Sequence, residues 1–320
     1  MKKLRTVFMG TPDFSVPCLD MLVREGYPVA AVVTQPDRPK GRGQKLAYSP
    51  VKEAALHYNL TILQPDNIKN DDFYNRIAVI KPDIIIVIAF GQFLPQRLLD
   101  LPLHGCINVH ASLLPAYRGS APIHWAIING EPMSGITTMY MDAGMDTGDM
   151  IIKAKTPILP VDTTGNLHDK LKDLGASVLS DTLQQITAGN APRIPQNDSE
   201  ATYAPLLCRS TERIDWHQPA AAIHNLVRGL NPWPGAYCKY QNKSLKIWQT
   251  RVYNESTPCA QPGQVIQLTK EGLVVETGKG TIELLEVQPE SKRRMKASDF
   301  VCGYSLTTGT MLECEGVGDD

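Results

Sequence analysis

Residues 83–90, DIIIVIAF, form an almost unbroken aliphatic run between Pro82 and Gly91. A strand with no polar face must be covered on both sides. Strands of parallel sheets meet that condition, because their crossover helices lie on both faces. The neighbouring segments support this reading. Residues 6–9 form a short apolar run ending at Gly10, and residues 29–33 a valine-rich one. Between them, Val16, Leu19, Leu22 and Val23 fall at helical spacing, with Pro17 near the helix start, where proline is tolerated. Residues 50–58 and 71–80 read as helices, and residues 61–63 and 106–109 as strands. This alternation predicts an α/β fold with a mainly parallel sheet. Residues 137–141 and 150–154 read as a strand pair. A long helix is expected over 164–187, with Leu167, Leu171, Leu174, Val178 and Ile186 on one face and Thr163 or Thr164 as N-cap.

The 320 residues suit about two domains. The pattern changes after Ala188. Residues 190–207 are rich in proline and polar residues and have no periodicity, so they read as a linker. Beyond them, a helix over 219–229 precedes short strand patterns at 236–240, 245–253, 263–268, 272–277 and 281–287. Short strands separated by glycine-containing turns predict a small β-barrel or sandwich. The expected boundaries are therefore 1–189, 190–207 and 208–315.

A net charge of −1 argues against a strongly cationic nucleic-acid coat but allows local basic patches. Residues 209–308 carry 13 Lys and Arg against 9 Asp and Glu, and Lys292, Arg293, Arg294 and Lys296 form the densest cluster. A second basic stretch, residues 35–49, holds Arg38, Lys40, Arg42 and Lys45 against Asp37 alone. It reads either as a surface loop or as a cationic finger for a phosphate-rich partner. No apolar run approaches the roughly 20 residues of a membrane-spanning helix, and the expected location is the cytoplasm. The 7 cysteines include no CxxC pair, which favours free thiols over a disulfide framework or a zinc site.

The segment with the most chemical content is 105–129, GCINVHASLLPAYRGSAPIHWAIIN. Alternation puts Asn108 and His110 on one side of a strand, roughly 6.5–7 Å apart, at its carboxyl end. In open α/β sheets that edge binds ligands. An amide can donate to a carbonyl oxygen gaining charge, and an imidazole can take up a proton near neutral pH. A second polar loop, 142–149, contains Asp142, Asp146 and Asp149. With no His or Glu nearby, it reads as a tight ligand-binding loop rather than a metal site. A carboxylate there could orient His110. The alternative is a hairpin loop held by Asx turns. Gly10-Thr11-Pro12-Asp13 does not complete a GxGxxG dinucleotide fingerprint.

Five segments together resemble the methionyl-tRNA formyltransferase family: FMGTPDFSVPCL, VTQPDRPKGRGQKL, NVHASLLPAYRGSAPIHWAIINGE, DAGMDTGD and RGLNPWPGAY. The HxSLLP segment alone is shared by a wider group of 10-formyltetrahydrofolate enzymes. The resemblance implies a Rossmann-like catalytic domain followed by an OB-type barrel. It implies formyl transfer from 10-formyltetrahydrofolate, a co-substrate, to the α-amine of methionine on initiator tRNA, without a metal. The family's catalytic residues fall on Asn108, His110 and Asp146. Its folate contacts fall on Ser112, Leu113, Leu114 and Pro115, on backbone around Ile88, Phe90 and Gly91, and on the loop with Asp142 and Gly144. tRNA contacts are expected at Arg38, Lys40, Arg42 and Lys45, and in the barrel at Arg293 and Arg294. A monomer is expected. The rival enzyme reading is a formyltransferase acting on a sugar-nucleotide amine. The rival outside enzymes is an RNA-binding protein with a vestigial site.

Overall fold

The computed structural model describes residues 3–40, 45–254 and 260–313. The chain forms two compact units. One comprises Met1–Pro122, Ser134–Thr156 and His168–Ala204, and the other Ile123–Met133, Pro157–Leu167 and Pro205–Asp320.

The first unit is built on a seven-stranded sheet. Its spatial order is Met150–Pro157, Met133–Tyr140, Cys106–His110, Ile84–Ile88, Thr6–Gly10, Val29–Val33 and Ile62–Leu63. The last five of these run parallel. Met133–Tyr140 runs antiparallel to Cys106–His110. Every residue of Ile84–Ile88 is buried, as an aliphatic central strand requires. Chain order reverses between Thr6–Gly10 and Ile84–Ile88. Ligand crevices of such sheets open at this switch, beyond the carboxyl ends of the strands.

Helices Val16–Arg24, Pro50–His57, Asp71–Ile80 and Thr164–Ala188 follow the expected apolar spacing. Val16–Arg24 starts without a side-chain cap, with proline in its first turn, whereas the other three starts are set by side chains that satisfy first-turn N–H groups. Ser49 Oγ accepts from Lys52 N at 3.1 Å, Asn70 Oδ1 from Phe73 N at 2.9 Å, and Thr163 Oγ1 from Asn166 N at 3.3 Å.

Two segments differ from their sequence reading. Within 35–49, Arg38–Lys40 pairs antiparallel with Lys45–Ala47, so the basic stretch has a β-ladder at its base. Pro39 is tolerated because a two-stranded ladder leaves one edge of each strand unpaired. Hydrogen bonds from Lys52 and Gln64 anchor Asp37 beneath this ladder and hold its carboxyl below the ordinary aspartate range. The stretch read as a linker is hydrogen-bonded to the first unit as far as Ala204. Ile194 bridges Met150, and Tyr203–Ala204 pairs in parallel with Arg118–Gly119. Aperiodic backbone of this kind gains order from partners distant in sequence, which local patterns do not reveal.

The second unit carries an antiparallel sheet in the order Ala236–Tyr240, Lys243–Asn254, Thr281–Pro289, Leu273–Glu276 and Val265–Leu268, with Met295–Lys296 added beside Thr281–Pro289. Residues 309–313 join its two edges. Glu313 exchanges two hydrogen bonds with Lys239 on one edge, while Thr310 O accepts from Val265 N on the other. The sheet thereby closes into a barrel. Its core gathers Trp216, Ile223, Val227, Ile247, Val275, Leu284, Phe300 and Leu312. Leu312, only 1% exposed, ties the closing segment into that core. We expect Leu312→Ala to cost about 2–4 kcal/mol of stability in a urea titration. A loss under about 0.5 kcal/mol would show that the closing segment is dispensable. Among the described residues no helix is long and apolar enough to cross a membrane.

Candidate active site

The strand Cys106–His110 pairs Asn108 with Met139 and His110 with Thr137 across its antiparallel neighbour. Both polar side chains therefore leave the same strand at its carboxyl end, where they meet Asp146. Asn108 Nδ2 donates to Asp146 Oδ1 at 3.3 Å. His110 Nδ1 lies 3.6 Å from Asp146 Oδ2, and the Gly119 N–H donates to that oxygen at 2.8 Å. His110 is only 6% exposed. The three groups named from the sequence thus form one cluster, in which each carboxylate oxygen already accepts a hydrogen bond.

The far side of the imidazole fixes its tautomer. His110 Nε2 lies 2.9 Å from the Tyr117 carbonyl oxygen. A carbonyl only accepts, so Nε2 carries a proton and donates. In neutral His110 the Nδ1 lone pair then points toward Asp146. Tyr117 and Asp146 adopt φ values of +60° and +54°. That left-handed conformation is uncommon for residues other than glycine, though aspartate tolerates it, and both bends aim groups at the imidazole.

The expected folate residues separate into two sets. Ser112 and Leu114 are buried and serve the loop itself. Ser112 Oγ donates to Ala116 O at 2.6 Å, and Leu114 packs with Met139 and Met150. Thr137 Oγ1 accepts from Leu114 N and donates to Ser112 O, while Lys153 Nζ donates to Leu114 O. Leu113 and Pro115 remain partly exposed. At the switch point the Ile88 and Phe90 side chains are buried, leaving only backbone to meet a ligand. Ser15 Oγ donates to Ile88 O at 2.8 Å, and Gln35 Nε2 to Phe90 O at 3.2 Å. Ala89 and Gly91 are exposed beside them, with φ values of +45° and +82°. Asp142 is exposed, and its Oδ1 accepts from Gly144 N and Thr147 Oγ1. It builds an Asx turn.

Of the expected tRNA contacts, Arg38, Arg293 and Arg294 are exposed. Arg42 lies outside the described residues. Lys40 and Lys45 end the two strands of the small ladder. Arg294 stacks on Trp248, with its guanidinium carbon 3.4 Å from the ring centroid. Arg38 and Arg294 belong to different units.

Sequence reasoning missed the backbone of Tyr117 and Gly119 and two side chains behind the loop, Arg118 and Gln196. Arg118 is inside a quoted motif but at a position with no evident role, and Gln196 is in the stretch read as a linker.

The formyl transferase family matches residues 3–183, and the formyl transferase C-terminal domain matches residues 207–305. A methionyl-tRNA formyltransferase of Acetivibrio thermocellus is 52% identical over 309 residues, covering 97% of this chain and 99% of the relative. One from Desulforamulus reducens is 51% identical, covering 98% and 99%. Among solved structures, the sugar 3N-formyl transferase WlaRD, with dTdp and 5-N-Formyl-THF, superposes with a TM-score of 0.65 at 21% identity, covering 92% of this chain and all of that one. HypX from Aquifex aeolicus, in complex with tetrahydrofolic acid, gives 0.64 at 18% identity, and this chain spans only 48% of it. At these identities the structural likeness concerns the fold alone. The sequence relatives go further: the chain belongs to the methionyl-tRNA formyltransferase family of formyl transferases.

Proposed function

We propose that this enzyme transfers the formyl group of 10-formyltetrahydrofolate to the α-amine of methionine esterified to initiator tRNA. The observation that carries the reading is the convergence of Asn108, His110 and Asp146 at the carboxyl edge of the sheet, in a chain about half identical to named methionyl-tRNA formyltransferases along nearly its whole length.

The co-substrate supplies a formyl carbon bonded to its N10. The chemistry needs the amine lone pair to form a new C–N bond, the C–N10 bond to break, one amine proton to leave and one proton to reach N10. Asn108 supplies a donor. One of its two amide N–H groups is engaged with Asp146, and the other can donate to the formyl oxygen as charge develops there. His110 and Asp146 supply the proton site. A proton leaving the amine meets two acceptors facing each other, Nδ1 and Oδ2 at 3.6 Å, and the same pair can return it toward N10. Burial of His110 limits competition from bulk water.

The exposed backbone at Ala89 and Gly91, with the partly exposed Leu113 and Pro115, fits a flat pterin that makes apolar contact and main-chain hydrogen bonds. Arg38, Lys40, Arg42 and Lys45 suit phosphates of the acceptor stem, and Arg293 and Arg294 suit phosphates met by the barrel.

The test is a formylation assay with 10-formyltetrahydrofolate and methionine-charged initiator tRNA, beside charged elongator methionine tRNA. Formylmethionine on the initiator alone is expected. Folate binding without formylation of either tRNA would move the reading to a small amine acceptor, such as an amino sugar nucleotide.

A further inference from the structure

The carboxylate of Asp146 is held at one end by Asn108 and Gly119. The backbone behind it is held by a side chain from a different segment. Gln196 Nε2 donates to Asp146 O at 2.7 Å and to Gly148 O at 2.8 Å. Its Oε1 accepts from Arg118 Nε at 3.0 Å and from an Arg118 terminal nitrogen at 2.8 Å. The amide orientation is therefore determined. A guanidinium has only donors, so the oxygen must face Arg118 and the NH2 must face the two carbonyls. Arg118 is 2% exposed, and it also pairs with Asp198 at 2.8 Å.

The same segment fastens the other side of the cluster. Thr202 O accepts from Arg118 N, and Thr202 Oγ1 accepts from Tyr117 N at 2.9 Å. Ala204 O accepts from Ser120 N and Ala121 N. Residues 194–204 thus bind both the loop that carries Asp146 and the turn that supplies the Tyr117 and Gly119 backbone groups. Every one of these contacts lies within the first unit.

We propose that Gln196 is a positioning residue for the reaction, one that sets the Asp146 carboxylate against His110 and Asn108 by gripping the left-handed backbone of its loop. This rests on the reading of Asp146 as the proton-handling carboxylate. Asp146 reaches its partners from a bend of φ +54°. Two hydrogen bonds to carbonyls on either side of Thr147 hold that bend against relaxation. A shift of about 1 Å in such a group can cost on the order of 10²-fold in rate.

The test uses the full-length enzyme with 10-formyltetrahydrofolate and charged initiator tRNA, comparing Gln196→Ala, Gln196→Glu, Asp146→Asn and the double variant Gln196→Ala/Asp146→Asn. Gln196→Ala should lower kcat by about 10–100-fold while KM for each substrate stays within about threefold of wild type. Gln196→Glu keeps an acceptor for Arg118 but has no donor for the two carbonyls. It should be as slow as Gln196→Ala, and it carries the test if the alanine variant fails to fold. The double variant should be no slower than Asp146→Asn alone, because a residue that acts through Asp146 has nothing left to position. Full speed in Gln196→Glu would reduce Gln196 to an anchor for Arg118 and overturn the proposal. Losses that multiply in the double variant would assign a purely structural role and also overturn it. Wild-type turnover in Asp146→Asn itself would instead overturn the underlying reading of the site.

Discussion

Replacing Asp146 with asparagine is expected to lower kcat by about 10²–10⁴-fold, with folate and tRNA binding largely kept. The substitution preserves shape and removes charge. Both carboxylate oxygens face donors, Asn108 Nδ2 on Oδ1 and Gly119 N on Oδ2. An asparagine must turn its NH2 toward one of them: toward Gly119 this sets donor against donor, and toward Asn108 it forces that amide to turn its oxygen inward and withdraw its donor. The substitution also replaces the carboxylate that faces His110 Nδ1 at 3.6 Å with a neutral amide, which takes up no proton. The proton leaving the amine then has the imidazole alone, and imidazolium loses its counter-charge. His110→Ala and Asn108→Ala should fall in the same range, since one removes the partner acceptor and the other the donor to the formyl oxygen. Single-turnover formylation with enzyme in excess separates this loss of chemistry from weaker binding. Turnover within about threefold of wild type in any of these variants would remove that residue from the mechanism.

Much of this arrangement is legible before folding, for identifiable reasons. The strand Ile84–Ile88 stands out because a buried central strand needs apolar side chains on both faces, and few other contexts tolerate five aliphatics in a row. Asn108 and His110 are legible as a pair because strand alternation fixes their common side whatever the rest of the fold does. Asp146 is legible as a candidate, but its aim depends on backbone bends at Tyr117 and Asp146 that no periodicity encodes. Residues 190–204 are illegible for the opposite reason. Their order comes from hydrogen bonds such as Gln196 to Asp146, across 50 positions in sequence, and Arg118 to Asp198, across 80. A stretch with prolines and no apolar rhythm looks the same whether or not such partners exist. The barrel's closing segment, 309–313, is hidden in the same way. It contributes a single core leucine and several main-chain bonds, and neither forms a pattern.

The second large effect is expected at Gly148, through packing rather than chemistry. The residue is buried where the Asp146 loop returns to the sheet. A Cβ added there would stand 1.7 Å from the Tyr140 carbonyl oxygen. That oxygen belongs to backbone at the end of Met133–Tyr140, so no side chain can swing away to make room. The Tyr140 N–H is held by Asp149 O at 2.9 Å, which ties the strand end to the residue following Gly148. Gly148→Ala must therefore push the loop off the strand end. Gln196 Nε2 also donates to Gly148 O, so the displacement pulls on the grip that holds Asp146. We expect about 2–4 kcal/mol of destabilisation together with a loss of at least about 10²-fold in kcat. Thermal or urea unfolding reads the first and formylation by the folded fraction reads the second. Gly303→Ala serves as the control, because a Cβ there meets nothing within 4 Å. If Gly148→Ala is as stable and as active as Gly303→Ala, the loop has room to move, and the close fit between strand end and loop does not hold Asp146 in place.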